Sequence, residues 1–148
     1  MKNAKPPLTL DPRLAQDTYV LGQLENSQLL LMRNALFPWF VIVPHTLETE
    51  LYKLPDAQQA EVLRQINLVS RFVEENYSVD KLNIGAIGNI VSQLHIHIVG
   101  RKRNDECWPR VVWGVDQFVA YTRQQVAEVK DKLQGFVSEA FIANGENN

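Results

Sequence analysis

Two of the chain's three histidines stand one residue apart, His95 and His97, inside the apolar run VSQLHIHIVGR at residues 91 to 101. Neutral imidazole is a competent nucleophile and proton acceptor near pH 7, because its ordinary pKa is about 6.5. A histidine can attack phosphorus when a second group fixes its tautomer and other donors stabilise the charge on the phosphate. The alternating apolar residues read as a strand, whose side chains point to opposite faces in turn. Gln93, His95, His97 and Val99 then share one face, and Leu94, Ile96 and Ile98 turn towards a core. Three readings fit the pair. It can be two solvated residues on an outer face. It can chelate a metal, with His45, Asp105 or Glu106 completing the set, although no acidic or cysteine ligand stands at a recognised spacing. It can be the centre of a reaction at phosphate.

The elements that must hold this strand are legible in outline. Residues 11 to 22 suggest a short helix, with Asp11 as cap and Pro12 at its first position. Residues 27 to 33 and 39 to 44 read as an antiparallel pair of strands around a turn at 34 to 38, the second rich in β-branched and aromatic residues and ended by Pro44. Residues 56 to 77 carry the strongest helical signal. Val62, Ile66, Val69 and Val73 form one stripe beside Leu63 and Phe72, and Asp56 with Gln59 suggests a capping box. Residues 81 to 87 read as a strand reaching a turn at Gly88-Asn89, 91 to 100 as the next strand, 101 to 115 as an ordered loop, and 117 to 143 as a second helix with Phe118, Val126, Val129, Leu133 and Phe136 on its apolar side. Strands linked as hairpins, without a regular βαβ alternation, predict an α+β fold with an antiparallel sheet of about five strands, one long packed helix and a C-terminal helix. The two ends read as frayed.

Composition limits the function. The 148 residues suit one domain with its own core, and 45% hydrophobic with 22% charged residues is ordinary for a globular chain. A formal charge of −2 argues against a broad nucleic-acid surface but not against a small phosphate ligand. No stretch is long and apolar enough to suggest a membrane partner. One cysteine, Cys107, and an N-terminus without a signal-peptide core point to the cytoplasm.

The string LNIGAIGNIVSQLHIHIVGR resembles the signature of the histidine triad (HIT) family: three histidines separated by single apolar residues, preceded by a strand, an asparagine and a glycine-containing turn. Asn83, Gly85, Gly88 and Asn89 fall where that upstream pattern has them, and WFVIVP resembles the family's apolar strand ending in proline. CWPRVVWG after the motif is similar to a bacterial subgroup with a Trp-Pro…Trp-Gly segment. Gln93 stands at the first triad position, where the family has histidine. The resemblance implies one HIT-like domain over residues 1–148, usually a homodimer. It implies a hydrolase or transferase acting at the α-phosphate of a nucleoside phosphoramidate or dinucleoside polyphosphate. His95 would become nucleotidylated, His97 would orient it, and no cofactor would be required, though a divalent cation could accompany a polyphosphate. Gln93 can hydrogen-bond but cannot serve as a general acid. A nucleotide-binding protein with little catalysis is therefore the first alternative, and a metal-dependent site on His95 and His97 the second. Asn89 and Asn34 are candidate phosphate or ribose contacts, Arg101 a phosphate ligand in the histidines' register, and Trp108 and Trp113 candidates to stack on a base; each has a plainer structural role available as a turn residue, strand end or packed aromatic.

Overall fold

The computed structural model describes residues 8–137 and 140–145. The expected fraying of the extreme ends and part of the expected 117–143 helix lie outside these residues. In chain order the elements are α1 (Pro12–Asp17), β1 (Thr18–Leu24), β2 (Ser27–Met32), β3 (Trp39–Pro44), α2 (Asp56–Asn76), β4 (Lys81–Gly85), β5 (Ile96–Arg101), α3 (Arg123–Phe136) and β6 (Phe141–Ala143), with a 3-10 turn at Leu51–Lys53. The six strands form one antiparallel sheet in the order β4-β5-β3-β2-β1-β6. The fold is α+β, with one strand more than expected in the sheet.

Strand parity sorts the core into two layers. Phe40, Ile42 and Ile98 face α2 and α3, where they pack with Val69, Phe72, Val73, Val129 and Leu133. Trp39, Val41, Val43 and Val99 face the opposite way, under Leu14, Cys107 and Val112. β5 is thus covered on both faces, which explains why its whole length is buried.

Several local expectations are corrected. Residues 18–22 are strand, not helix: α1 stops at Asp17, and the run Thr18-Tyr19-Val20 pairs with β2 through a two-residue turn at Glu25-Asn26, where Glu25 takes φ 52°. α2 begins after Pro55, and Asp56 makes no capping hydrogen bond. Gln59 instead donates to the carbonyls of Tyr52 and Leu54. Leu63 is exposed and Gln65 is buried in the helix face. Gln65 earns that place by accepting from the Ser27 hydroxyl (2.6 Å) and donating to the Leu24 carbonyl (3.1 Å), so it ties the helix to the β1–β2 turn. α3 starts at Arg123, where Thr122 and Gln125 form a reciprocal capping box, so Phe118 lies before the helix and is exposed. The strand expected from residue 91 is regular only from Ile96; residues 86–95 form the irregular approach to the histidines.

Candidate functional site

β5 is an inner strand, hydrogen-bonded to β3 on one side and β4 on the other. His97 stands opposite Val41 and Gly85 in these ladders. His95 comes just before the ladder begins. Their rings meet edge to face with centroids 5.0 Å apart, and both residues are about 5% exposed. The reading as two solvated surface residues is therefore corrected: the histidine face of the sheet is roofed by the segment after β5 and by the chain entering α1.

Two hydrogen bonds fix the tautomers. His95 Nδ1 lies 2.7 Å from the carbonyl oxygen of Gln93. A carbonyl can only accept, so Nδ1 carries the proton and Nε2 carries the lone pair. His97 Nδ1 lies 2.9 Å from Trp39 Nε1. An indole N–H can only donate, so neutral His97 holds its proton on Nε2. Burial, and secondarily the neighbouring His95, push the His97 pKa down from 6.5 to about 4. In its neutral form the pair thus offers one imidazole lone pair, on His95 Nε2, and one N–H donor, on His97 Nε2.

Aromatic rings wall the pair. Trp39 and Trp113 lie 5.8 Å and 5.4 Å from the His97 ring, and 6.2 Å from each other. Trp113 thus meets the histidines, as a packed wall. Trp39, which the sequence shows only as the first residue of an apolar strand, is a site residue. Its partner is 58 positions away, so no local pattern could reveal the contact.

On the open side His95 lines a cleft of about 520 Å³ with Thr49–Tyr52, Ala86–Asn89 and Ser92–Leu94. Asn89 is exposed and belongs to this cleft. So does Ser92, which a regular strand through residue 91 would have placed on the core side with Leu94; the broken alternation before β5 turns it outward instead. Gln93 also lines it, but its amide is engaged elsewhere. Its Oε1 accepts from Asp11 N–H (2.7 Å) and its Nε2 donates to the Thr9 carbonyl (3.1 Å).

Three sequence candidates are placed otherwise. Asn34 is nearly buried and holds the chain before α3: its amide donates to the Gln117 carbonyl, and its oxygen accepts from the N–H groups of Leu36 and Val119. Arg101 shares the histidines' face but is 1% exposed and fully engaged. Its guanidinium makes two bonds to Asp105 (2.8 and 3.0 Å), and a third donates to Asn83 (2.8 Å). A buried cation needs such a partner, which leaves Arg101 unavailable to a phosphate. Burial pushes the Asp105 carboxyl up, yet hydrogen bonds from Arg101 and from the backbone of Cys107 and Lys102 outweigh it and hold the group below its ordinary value. Trp108 stacks on this pair, with the Arg101 guanidinium 5.5 Å from its ring, and donates its backbone N–H to Asp105. Asp105 therefore organises the loop after β5 and does not join the histidines as a metal ligand. Among the described residues no group of three or more His, Cys, Asp or Glu is arranged to hold a metal ion.

The antiparallel α+β sheet thus holds one tautomer-fixed histidine, His97, on an inner strand and a second, His95, just before it at the edge of a polar cleft. The HIT domain pattern matches residues 13–104. Among solved structures, a histidine triad protein from Bradyrhizobium japonicum is 39% identical over 89% of this chain and 99% of its own, with a TM-score of 0.84. One from Marinobacter aquaeolei VT8 is 39% identical over 89% and 97%, also at 0.84. A third, from Sinorhizobium meliloti 1021, is 33% identical over 86% and 95%, at 0.82. No curated protein matches the chain significantly. The chain belongs to the histidine triad family.

Proposed function

We propose that this protein is a nucleotide hydrolase or nucleotidyl transferase whose nucleophile is His95 Nε2. The supporting observation is the bond from His95 Nδ1–H to the Gln93 carbonyl, which commits the lone pair to Nε2 and stabilises the positive charge the ring acquires on bonding to phosphorus. His95 Nε2 attacks the α-phosphorus of a nucleoside phosphoramidate or dinucleoside polyphosphate, and the bond from phosphorus to the leaving group breaks. Water then attacks the nucleotidyl-histidine, the phosphorus–nitrogen bond breaks, and a nucleoside monophosphate leaves. His97 Nε2–H, Asn89 and Ser92 are the donors for the phosphate oxygens. Gln93 contributes its carbonyl to His95, and Trp113 and Trp39 hold His97. The chemistry needs no cofactor; a divalent cation would enter only with a polyphosphate. Homodimerisation is part of this proposal on family membership alone. No described helix is long and apolar enough to cross a membrane, and the buried free thiol of Cys107 supports a cytoplasmic setting.

The second reading, a nucleotide binder with slow turnover, is favoured by the engagement of Gln93 with Thr9 and Asp11, since no residue at the first triad position is free to deliver a proton. One experiment separates the two. The protein is mixed with adenosine phosphoramidate and with diadenosine polyphosphates, and its intact mass and adenosine monophosphate release are followed in wild type and His95→Asn. An adduct and product that vanish in the variant support the enzyme. Nucleotide binding with neither adduct nor product in wild type overturns it in favour of the binder.

A further inference from the structure

Gln93 hydrogen-bonds both the His95 ring and the segment entering α1. Its side chain takes the N–H of Asp11 and serves the carbonyl of Thr9, and its own carbonyl holds His95 Nδ1–H. Leu8, Leu10 and Leu14 press the same segment onto the core layer beneath Trp39 and Val99. We propose that Gln93 is a positioning residue: residues 8–11 are a strap that fixes its amide, and through its main chain fix the tautomer of His95. The inference rests on the assignment of His95 as nucleophile only for its effect on rate.

The residue type fits the task. A primary amide presents a donor and an acceptor side by side, suited to two backbone groups two residues apart on one segment. The two nitrogens of an imidazole point away from each other across the ring, so a histidine here would lose one of the two bonds. Glutamine at the first triad position is thereby accounted for by the strap, without a direct part in proton transfer.

Both ends of the link can be cut separately. Gln93→Met keeps the length and removes donor and acceptor. Asp11→Pro removes the N–H without touching Gln93, and Asp11 already has φ −51° and ψ 134°, which proline accepts. Asp11→Ala is the control, because it loses only the cap to the Arg13 N–H. Hydrogen exchange of residues 8–14 and ¹⁵N NMR of the His95 ring are read in each, with exchange in β5 confirming the fold. Asp11→Pro should speed exchange of the strap about fivefold, the factor expected for one net hydrogen bond, and Gln93→Met, which removes two, up to about thirtyfold. Each should turn His95 from a single Nδ1–H tautomer into a mixture and lower kcat/KM several-fold, and the double variant should be no worse than either. Asp11→Ala should speed exchange at Arg13 alone, where the cap is lost, and leave the rest of the strap, the His95 tautomer and kcat/KM unchanged. A His95 ring that stays wholly Nδ1–H in both variants overturns the proposal. So does a fall in kcat/KM in Gln93→Met alone, which would mean that Gln93 acts on substrate directly. If wild type turns over no substrate, the proposed function fails, and the exchange and NMR results alone decide the strap.

Discussion

His97 is neutral because it is buried beside His95, and Trp39 opposes its protonation further. A proton on Nδ1 would face the indole N–H head-on, so protonation must break that bond. The pKa is 6.5 in ordinary surroundings and about 4 here. At about 1.4 kcal/mol per unit, the shift corresponds to roughly 3 kcal/mol favouring the neutral ring. One neutral hydrogen bond contributes about 1 kcal/mol. Trp39→Phe should therefore raise the His97 pKa by somewhat under one unit, with burial and the neighbouring His95 still holding it below 6.5. The same shift sets a pH dependence of stability. Because the folded pKa lies below the unfolded one, the unfolded chain takes the proton first. Stability is full above about pH 6.5, declines as pH falls towards 4, and this component levels off below that. Titration of the ring Cε1–H signals by NMR, with thermal melts at pH 7.5 and 4.5 in wild type and His97→Gln, measures both. A His97 that titrates within half a unit of 6.5, or that carries its proton on Nδ1 at pH 7, would refute the reasoning. So would a melting-temperature drop on acidification that is the same in His97→Gln.

Other consequences are open to direct measurement. Asp105→Ala leaves the Arg101 cation buried without its partner and should cost about 3–5 kcal/mol in denaturant unfolding, while Arg101→Met with Asp105→Leu should recover part of the loss. The burial of both side chains, 1% and 6% exposed, is what makes the expected cost so large. Since neither Gln93 nor neutral His97 can act as a strong acid, kcat should fall steeply as the leaving group becomes more basic; a flat dependence across a substituted phosphoramidate series would require another proton donor. Gly100→Ala should destabilise by about 1–3 kcal/mol in thermal or denaturant melts, because its Cβ would come within 3 Å of Val79, Pro38 and Val73.

The parts of this fold that could be read from sequence are those with strong local periodicity. The stripe of α2 and the apolar run of β3 announce themselves, since each is long enough for its period to stand out. β1 was hidden because Asp11 and Pro12 give a clear signal for starting a helix, and no residue before Thr18 signals its end. β6 has three residues, too few to show a period, and is fixed by pairing with β1. At the site, the motif put His95, His97, Asn89 and Trp113 together. Two features that decide their chemistry are long-range, Trp39 on His97 and Thr9 and Asp11 on Gln93, while Asp105 on Arg101 is only four residues away but depends on how the loop folds. Register alone made Arg101 look like a phosphate ligand, because register gives the face of a residue and not the partner waiting there.

The indole cluster around His97 has an optical consequence. Two of the chain's three tryptophans, Trp39 and Trp113, lie within 6 Å of one imidazole. A protonated imidazole quenches a neighbouring indole much more strongly than a neutral one. The protein thus carries its own fluorophores beside His97, and their emission should report the charge state of that ring without any added label.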